Sequence, residues 1–232
     1  GAVVGYVQFR VRLGSLSNGL RWLQQSRHLG GWFGLASVAH SAANQLVAIL
    51  IGVGFGPAAL GGIRAVQNLF APAQLAVVSV ESVTLPHMSR VNEESGVSTL
   101  FRTALLVGVA LASLVVLTVW LALINWRDAI IPGLFGEEFL EFSGIVVPIG
   151  LSVLAAAVAA GATLGLKASR KGKVLAQMEG IGSAARVTGV GALQVPFGLS
   201  GAAWGIAVGS IFRGVTAWVA LLRVGRSSQR IE

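Results

Sequence analysis

Cysteine is absent from all 232 residues. The chain therefore has no disulfide framework and no cysteine-based metal site, and cysteine usage leaves its redox compartment open. Charge is scarce: 11% of the residues are Asp, Glu, Lys or Arg, about half the share usual in soluble domains. The three histidines, His28, His40 and His87, pair neither with one another nor with a carboxylate at metal-ligand spacing, so no metal site is expected. The nucleophile motif GxSxG is missing. No two carboxylates within a membrane helix are spaced for joint acid–base work, and Glu137 and Glu138 read as part of a solvated turn. Nothing in the chain nominates an enzyme or calls for a cofactor.

What is present is apolar surface. Hydrophobic residues make up 54% of the chain, and the mean hydropathy is +0.77. A water-soluble protein of this length could not hide that much apolar surface, so lipid is the expected solvent. A helix crosses the hydrocarbon in about 20 apolar residues. Six stretches qualify, near 35–52, 63–85, 103–124, 143–166, 174–195 and 202–222. The fold expected is an all-α membrane protein with a six-transmembrane-helix bundle at 33–226. Turn or charged segments separate the stretches, among them PHMSRVNEESGVS, KASRKGK and PFGLSG. GEEFLEF reads as a short helix or turn on the outer face.

The net charge of +8 could mark a nucleic-acid binder. Its distribution points elsewhere. With the N-terminal segment placed on one side of six crossings, that side holds thirteen basic residues, including Lys167, Arg170, Lys171 and Lys173. The opposite side holds Arg64 and Arg127, together with four carboxylates. This is the positive-inside pattern, so nucleic acid is not an expected partner and both ends of the segment are expected in the cytoplasm. GAVVGYV at the start has no basic region before it and makes a poor signal peptide. Residues 1–16 read as the end of a preceding membrane helix and its linker, and the chain as a piece of a longer protein. Residues 17–32 interleave Leu and Trp with Arg and His, as an interfacial amphipathic helix does. Residues 227–232 would be a cytoplasmic tail.

The run GVGFGPAALGGIRAVQNLFAPAQ carries Gly52, Gly54 and Gly56 at alternate positions. A dinucleotide loop would need glycine where Pro57 stands, and no strand or βαβ unit surrounds it. A tight turn between membrane helices is the better reading. Polar side chains then form stripes along four of the six spans. Ser37, His40, Ser41 and Asn44 share one face of the first. Arg64, Gln67, Asn68, Gln74 and Glu81 follow one stripe of the second. Glu179, Ser183 and Arg186 share a face of the fifth, and Arg213 and Thr216 are neighbours on the sixth. The third and fourth spans carry almost nothing polar and read as the lipid-facing shell. Such stripes either line a cavity or act as interhelical hydrogen-bond glue. The ionisable members favour the cavity, although Arg64 and Glu81 lie near span ends and could snorkel to water. The candidate substrate-binding set is Asn44, Arg64, Gln67, Asn68, Gln74, Glu179, Arg186 and Arg213. Gly161 and Gly165 form a GxxxG pair for close packing. Gly180, Gly182, Gly189 and Gly191 leave the fifth helix either bent or closely packed.

Asn44-Gln45, the AILIGVGFGPAALGG turn, LPHMSR after the second span, the basic loop LKASRKGK and the turn GLSGAAWG together resemble the polysaccharide flippases of the multidrug/oligosaccharidyl-lipid/polysaccharide exporter superfamily. The resemblance covers about one six-helix half, the C-terminal one by its preceding linker, of a transporter with twelve helices or more. It implies a location in the cell inner (plasma) membrane and two bundles around a central cavity that opens to each side in turn. It also implies a lipid-linked oligosaccharide or polysaccharide precursor as substrate, surrounded by membrane lipids. A polysaccharide polymerase or glycosyltransferases would be its protein partners. A cationic cavity in this family holds the diphosphate of the substrate, a role that would suit Arg64, Arg186 and Arg213. The alternatives are a cation-coupled multidrug antiporter, a lipid II flippase and a non-transporting envelope scaffold.

Overall fold

A computed structural model describes residues 16–124 and 136–228. Among these the chain is entirely helical, in the order α1 (Leu16–Leu69), α2 (Ala71–Ile124), a 3-10 segment (Glu137–Ile145), α3 (Val146–Ala168) and α4 (Gly172–Ser228). The 3-10 segment occupies the place expected for a short outer helix or turn. The residues expected to form a preceding membrane helix, most of the expected tail, and Arg127 and Asp128 lie outside the described residues. Residues 17–32 are helical and continuous with the span that follows.

Among the described residues, four stretches are long and apolar enough to cross a membrane: Gly30–Leu69, Thr99–Leu117, Glu141–Ala168 and Gly172–Gly225. Many apolar side chains point outward from them, with Val53 84% and Val195 83% exposed. In water such a surface would aggregate, whereas in lipid it is the natural exterior. The protein is therefore a membrane protein.

The long helices are not straight rods. Gly56 interrupts α1 with φ 85 and ψ 174, and Gly198 interrupts α4 with φ 61 and ψ −143. Both angles lie where a Cβ is strained, so glycine is the residue suited to each break. Pro57 then opens the next helical stretch, where a missing N–H leaves nothing unsatisfied. Beyond Gly198 the two parts of α4 run back along each other. Gly201 abuts the Leu193 carbonyl, Gly205 abuts Val190, Gly209 abuts Arg186, and Gly182 abuts Arg213. Gly182 and Gly189 are thus close-packed, while Gly180 and Gly191 have open space beside them.

The helix α2 also doubles back. Glu81 reaches Lys167 at 3.5 Å, and Ala104 lies against Gly161 and Gly165 only a turn or two away on α3. A straight helix would hold Glu81 and Ala104 about 35 Å apart. The segment PHMSRVNEESGVS, expected as a turn or charged segment between two spans, lies where α2 reverses, although its residues are within the helix Ala71–Ile124. The second apolar stretch is interrupted at Phe70. Pro72 has no N–H to continue the ladder, so the Phe70 amide bonds to the Gln67 carbonyl at 3.1 Å, a tightened turn, and the ladder resumes with Gln74 to Phe70.

One expectation is overturned. The fourth apolar stretch, α3, is not a lipid-facing shell but the hub of the bundle, packed between α2 and α4. Most of its residues are buried, and Ala157, Ala160, Gly161, Ala162 and Gly165 let its neighbours approach closely. Apolar composition does not separate the two cases, because lipid tails and a protein core are equally apolar. A Cβ on Gly161 would run into the Ala104 carbonyl and Gly108 backbone, whereas on Gly165 it would meet the side-chain ends of Leu221 at 3.0 Å and the Ala104 Cβ at 3.6 Å. We expect Gly161→Val to lower the thermal midpoint of the detergent-solubilised protein by roughly 5 °C or more, as overpacking does. Gly165→Ala should shift it much less, and equal shifts in the two variants would contradict this packing.

Candidate functional site

A cavity of about 580 Å³ lies between α1, α2, α3 and α4. Of the eight residues expected to bind substrate, Asn44, Arg64, Gln67, Gln74, Arg186 and Arg213 line it. Glu179 lines an adjoining cavity of about 610 Å³. Asn68 is exposed and lines neither. His40, Glu81 and Arg213 belong to both cavities and mark the boundary between them.

The two cations of α4 are each placed by a glycine on its facing part. Arg186 packs on Gly209, and Arg213 packs on Gly182. In sequence Gly182 precedes Arg186 by four residues and Gly209 precedes Arg213 by four. In an antiparallel pair this spacing sets the Cα and first side-chain atoms of each arginine against the other helix's gap. Both arginines then stand on one face, a turn apart, with their stems against backbone.

The charges are compensated unevenly. Arg213 donates from Nη1 to Glu179 Oε1 at 3.0 Å, and His40 Nδ1 stands 3.6 Å from Glu179 Oε2. Lys167 faces Glu81, and Arg170 faces Glu93 at 3.2 Å on the exposed rim. Arg186 has a neutral partner, donating from Nη1 to the Asn44 amide oxygen at 2.6 Å. Its Nε is buried with no hydrogen-bond partner. No carboxylate among the described residues pairs with Arg186 or Arg64. Guanidinium stays protonated at any physiological pH, so two uncompensated positive charges face the cavity. A desolvated anion with several oxygens is the ligand that such donors fit.

Several residues of the site escaped the candidate set. His40 sits one turn before Asn44, and that spacing was the available signal. Glu81 lay at the end of a recognised stripe. Ser152 gave no signal, being a lone hydroxyl in an apolar helix, and its Oγ donates to the Ile149 carbonyl at 2.7 Å. Ser152, Ile149 and Ala157 bring α3 into the cavity wall.

A family described as "Polysaccharide biosynthesis protein" matches residues 2–144 of the chain. No curated protein and no solved structure matches it.

The glycine–arginine packing predicts that Gly209→Leu displaces Arg186 from Asn44. Charge repulsion would then be relieved by exposure, and deuterium exchange in the 44 and 186 region should become faster. Asn44→Ala, which removes the acceptor and leaves the backbone contact, should raise exchange less. Equal protection in Gly209→Leu and the parent would contradict the placement.

Proposed function

The chain belongs to the polysaccharide biosynthesis protein family, and from that premise we propose that it is part of a flippase. It would move lipid-linked oligosaccharide or polysaccharide precursors across the inner membrane by alternating access. The observation that carries this reading is the pair of uncompensated cations, Arg64 and Arg186, in a cavity enclosed by membrane helices. A charge at membrane depth is unfavourable by about 2.5–3.5 kcal/mol on insertion scales. This bears on the half-buried Arg186, while Arg64 is exposed where it lines the cavity. An unpaired cation at that depth favours an anionic occupant. A lipid-linked saccharide carries its negative charge in the diphosphate between lipid and sugar. The guanidinium groups would bind that diphosphate, the polar wall formed by Gln67, Gln74 and Asn44 would face the sugar, and the tail would remain among the apolar outer faces.

The glycine breaks at Gly56 and Gly198 and the doubling of α2 support six crossings, which we read as one half of a two-bundle transporter. The basic run from Lys167 to Lys173 would then face the cytoplasm, by the positive-inside rule. Glycosyltransferases would supply the substrate on that side, and a polymerase would receive it on the other. A transporter needs no bond-breaking chemistry from these residues, in keeping with a site of cations and amides. The competing antiporter reading needs a carboxylate free to take a cation, and Glu179 is already held by Arg213.

Two measurements test this reading. Arg186→Ala and Arg64→Ala, each in the full protein at normal abundance, should reduce complementation of a flippase-deficient strain by roughly tenfold or more, the loss expected for a charge-assisted hydrogen bond. Wild-type export in both variants would overturn the cationic site. Because these 232 residues have no cysteine, Lys171→Cys, in a full protein with any other cysteines replaced by serine, gives a single label position. A membrane-impermeant thiol reagent should reach it only in inverted vesicles, and labelling in intact cells would reverse the orientation.

A further inference from the structure

The cavity holds a third arginine that is not free. Arg213 stands one turn from Arg186 on the same face, borders both cavities, and is bound to Glu179. Glu179 is buried, and it divides its two oxygens unequally. Oε1 accepts from Arg213, whereas Oε2 is buried without a hydrogen bond and points toward the imidazole of His40 at 3.6 Å. The His40 side chain is 44% exposed, so protons can reach it from the cavity. One carboxylate therefore stands between a permanent cation and a titratable one.

We propose that Glu179 holds Arg213 in reserve and that protonation of His40 releases it to the anion bound by Arg64 and Arg186. This inference rests on the anion-site reading above and specifies how that site is regulated. With His40 neutral, Glu179 has one cationic partner and keeps it. With His40 protonated, the imidazolium closes on Oε2 and the carboxylate is compensated from the α1 side. Arg213 is then the surplus cation, and it already lies along the cavity wall. No bond is made or broken beyond the proton taken up on the imidazole.

The other charged groups around His40 do not substitute for this exchange. Glu81 on α2 is engaged by Lys167 of α3, and Arg170 is engaged by Glu93. Arg186 of α4 is fixed to Asn44. Arg64, from the second part of α1, has no carboxylate partner among the described residues and adds to the repulsion that Arg213 would feel unless an anion were present. The release is therefore favoured by ligand and proton together. The sign follows: anion affinity should be higher at about pH 5.5 than at about pH 8, because the protonated imidazole is what frees Arg213.

The test uses the full protein in phosphatidylcholine nanodiscs. The probe is a uridine diphosphate sugar, a diphosphate diester whose charge is constant over this pH range. Wild type should bind it roughly tenfold more tightly at the lower pH, the gain expected from one added charge-assisted hydrogen bond. Glu179→Gln should bind tightly at both pH values, because Arg213 is free throughout. His40→Gln, altered at a half-exposed side chain, should bind weakly at both. A full pH response surviving in His40→Gln would overturn the handover, as would Glu179→Gln binding no better than wild type at the higher pH. Binding that is lost in Arg186→Gln but does not change with pH in wild type would overturn the handover alone. No binding by wild type at either pH would overturn the handover together with the anion site beneath it.

Discussion

A guanidinium halfway along a membrane helix cannot shed its proton and cannot reach water by snorkelling from the bilayer centre. It has to be met by a cavity, a partner or both. Arg186 imposes this requirement on the whole bundle. Asn44 on α1 supplies its neutral acceptor, Gly209 supplies the gap that seats its backbone, and α3 closes the wall behind it through Ser152 and Ala157. The break at Gly198 follows from the same need, because the chain must reverse there for Gly209 to face Arg186. Glycines on each part of α4 keep the two backbones close enough for the reversed strands of helix to share one polar face.

The second consequence is electrostatic. A cavity with cations alone would repel itself apart, and one with every cation paired would have no use for an anion. Here the pairing is selective. The carboxylates of Glu81 and Glu179 compensate Lys167 and Arg213, while Arg186 receives only an amide. Asn44 satisfies a donor without neutralising its charge, which preserves the attraction for an anionic ligand. This distinction between hydrogen-bond satisfaction and charge compensation separates a binding site from structural glue in the membrane.

Much of this was legible in the residues. Helical periodicity put His40 with Asn44 and Glu179 with Arg186, and the alternate glycines before Pro57 marked a turn rather than a phosphate loop. Asn68, a member of the same stripe as Arg64 and Gln67, is exposed and lines neither cavity. The place of α3 was not legible: an apolar, alanine-rich helix looks the same against lipid as against protein. The reversal of α2 was legible in part: the charged residues of PHMSRVNEESGVS ended the apolar pattern between Glu81 and Ala104, where the chain turns back. The pairing of Gly182 with Arg213 and of Gly209 with Arg186 was present as two equal spacings, but only the fold brings the two segments face to face.

The most direct test of the central claim is a cryo-electron microscopy structure of the full protein bound to a diphosphate-linked glycolipid. The account predicts diphosphate density within hydrogen-bonding distance of Arg186 and Arg64, with the sugar beside Gln67 and Gln74. Diphosphate density seated instead on the surface basic run from Lys167 to Lys173, with the arginine cavity empty, would contradict it.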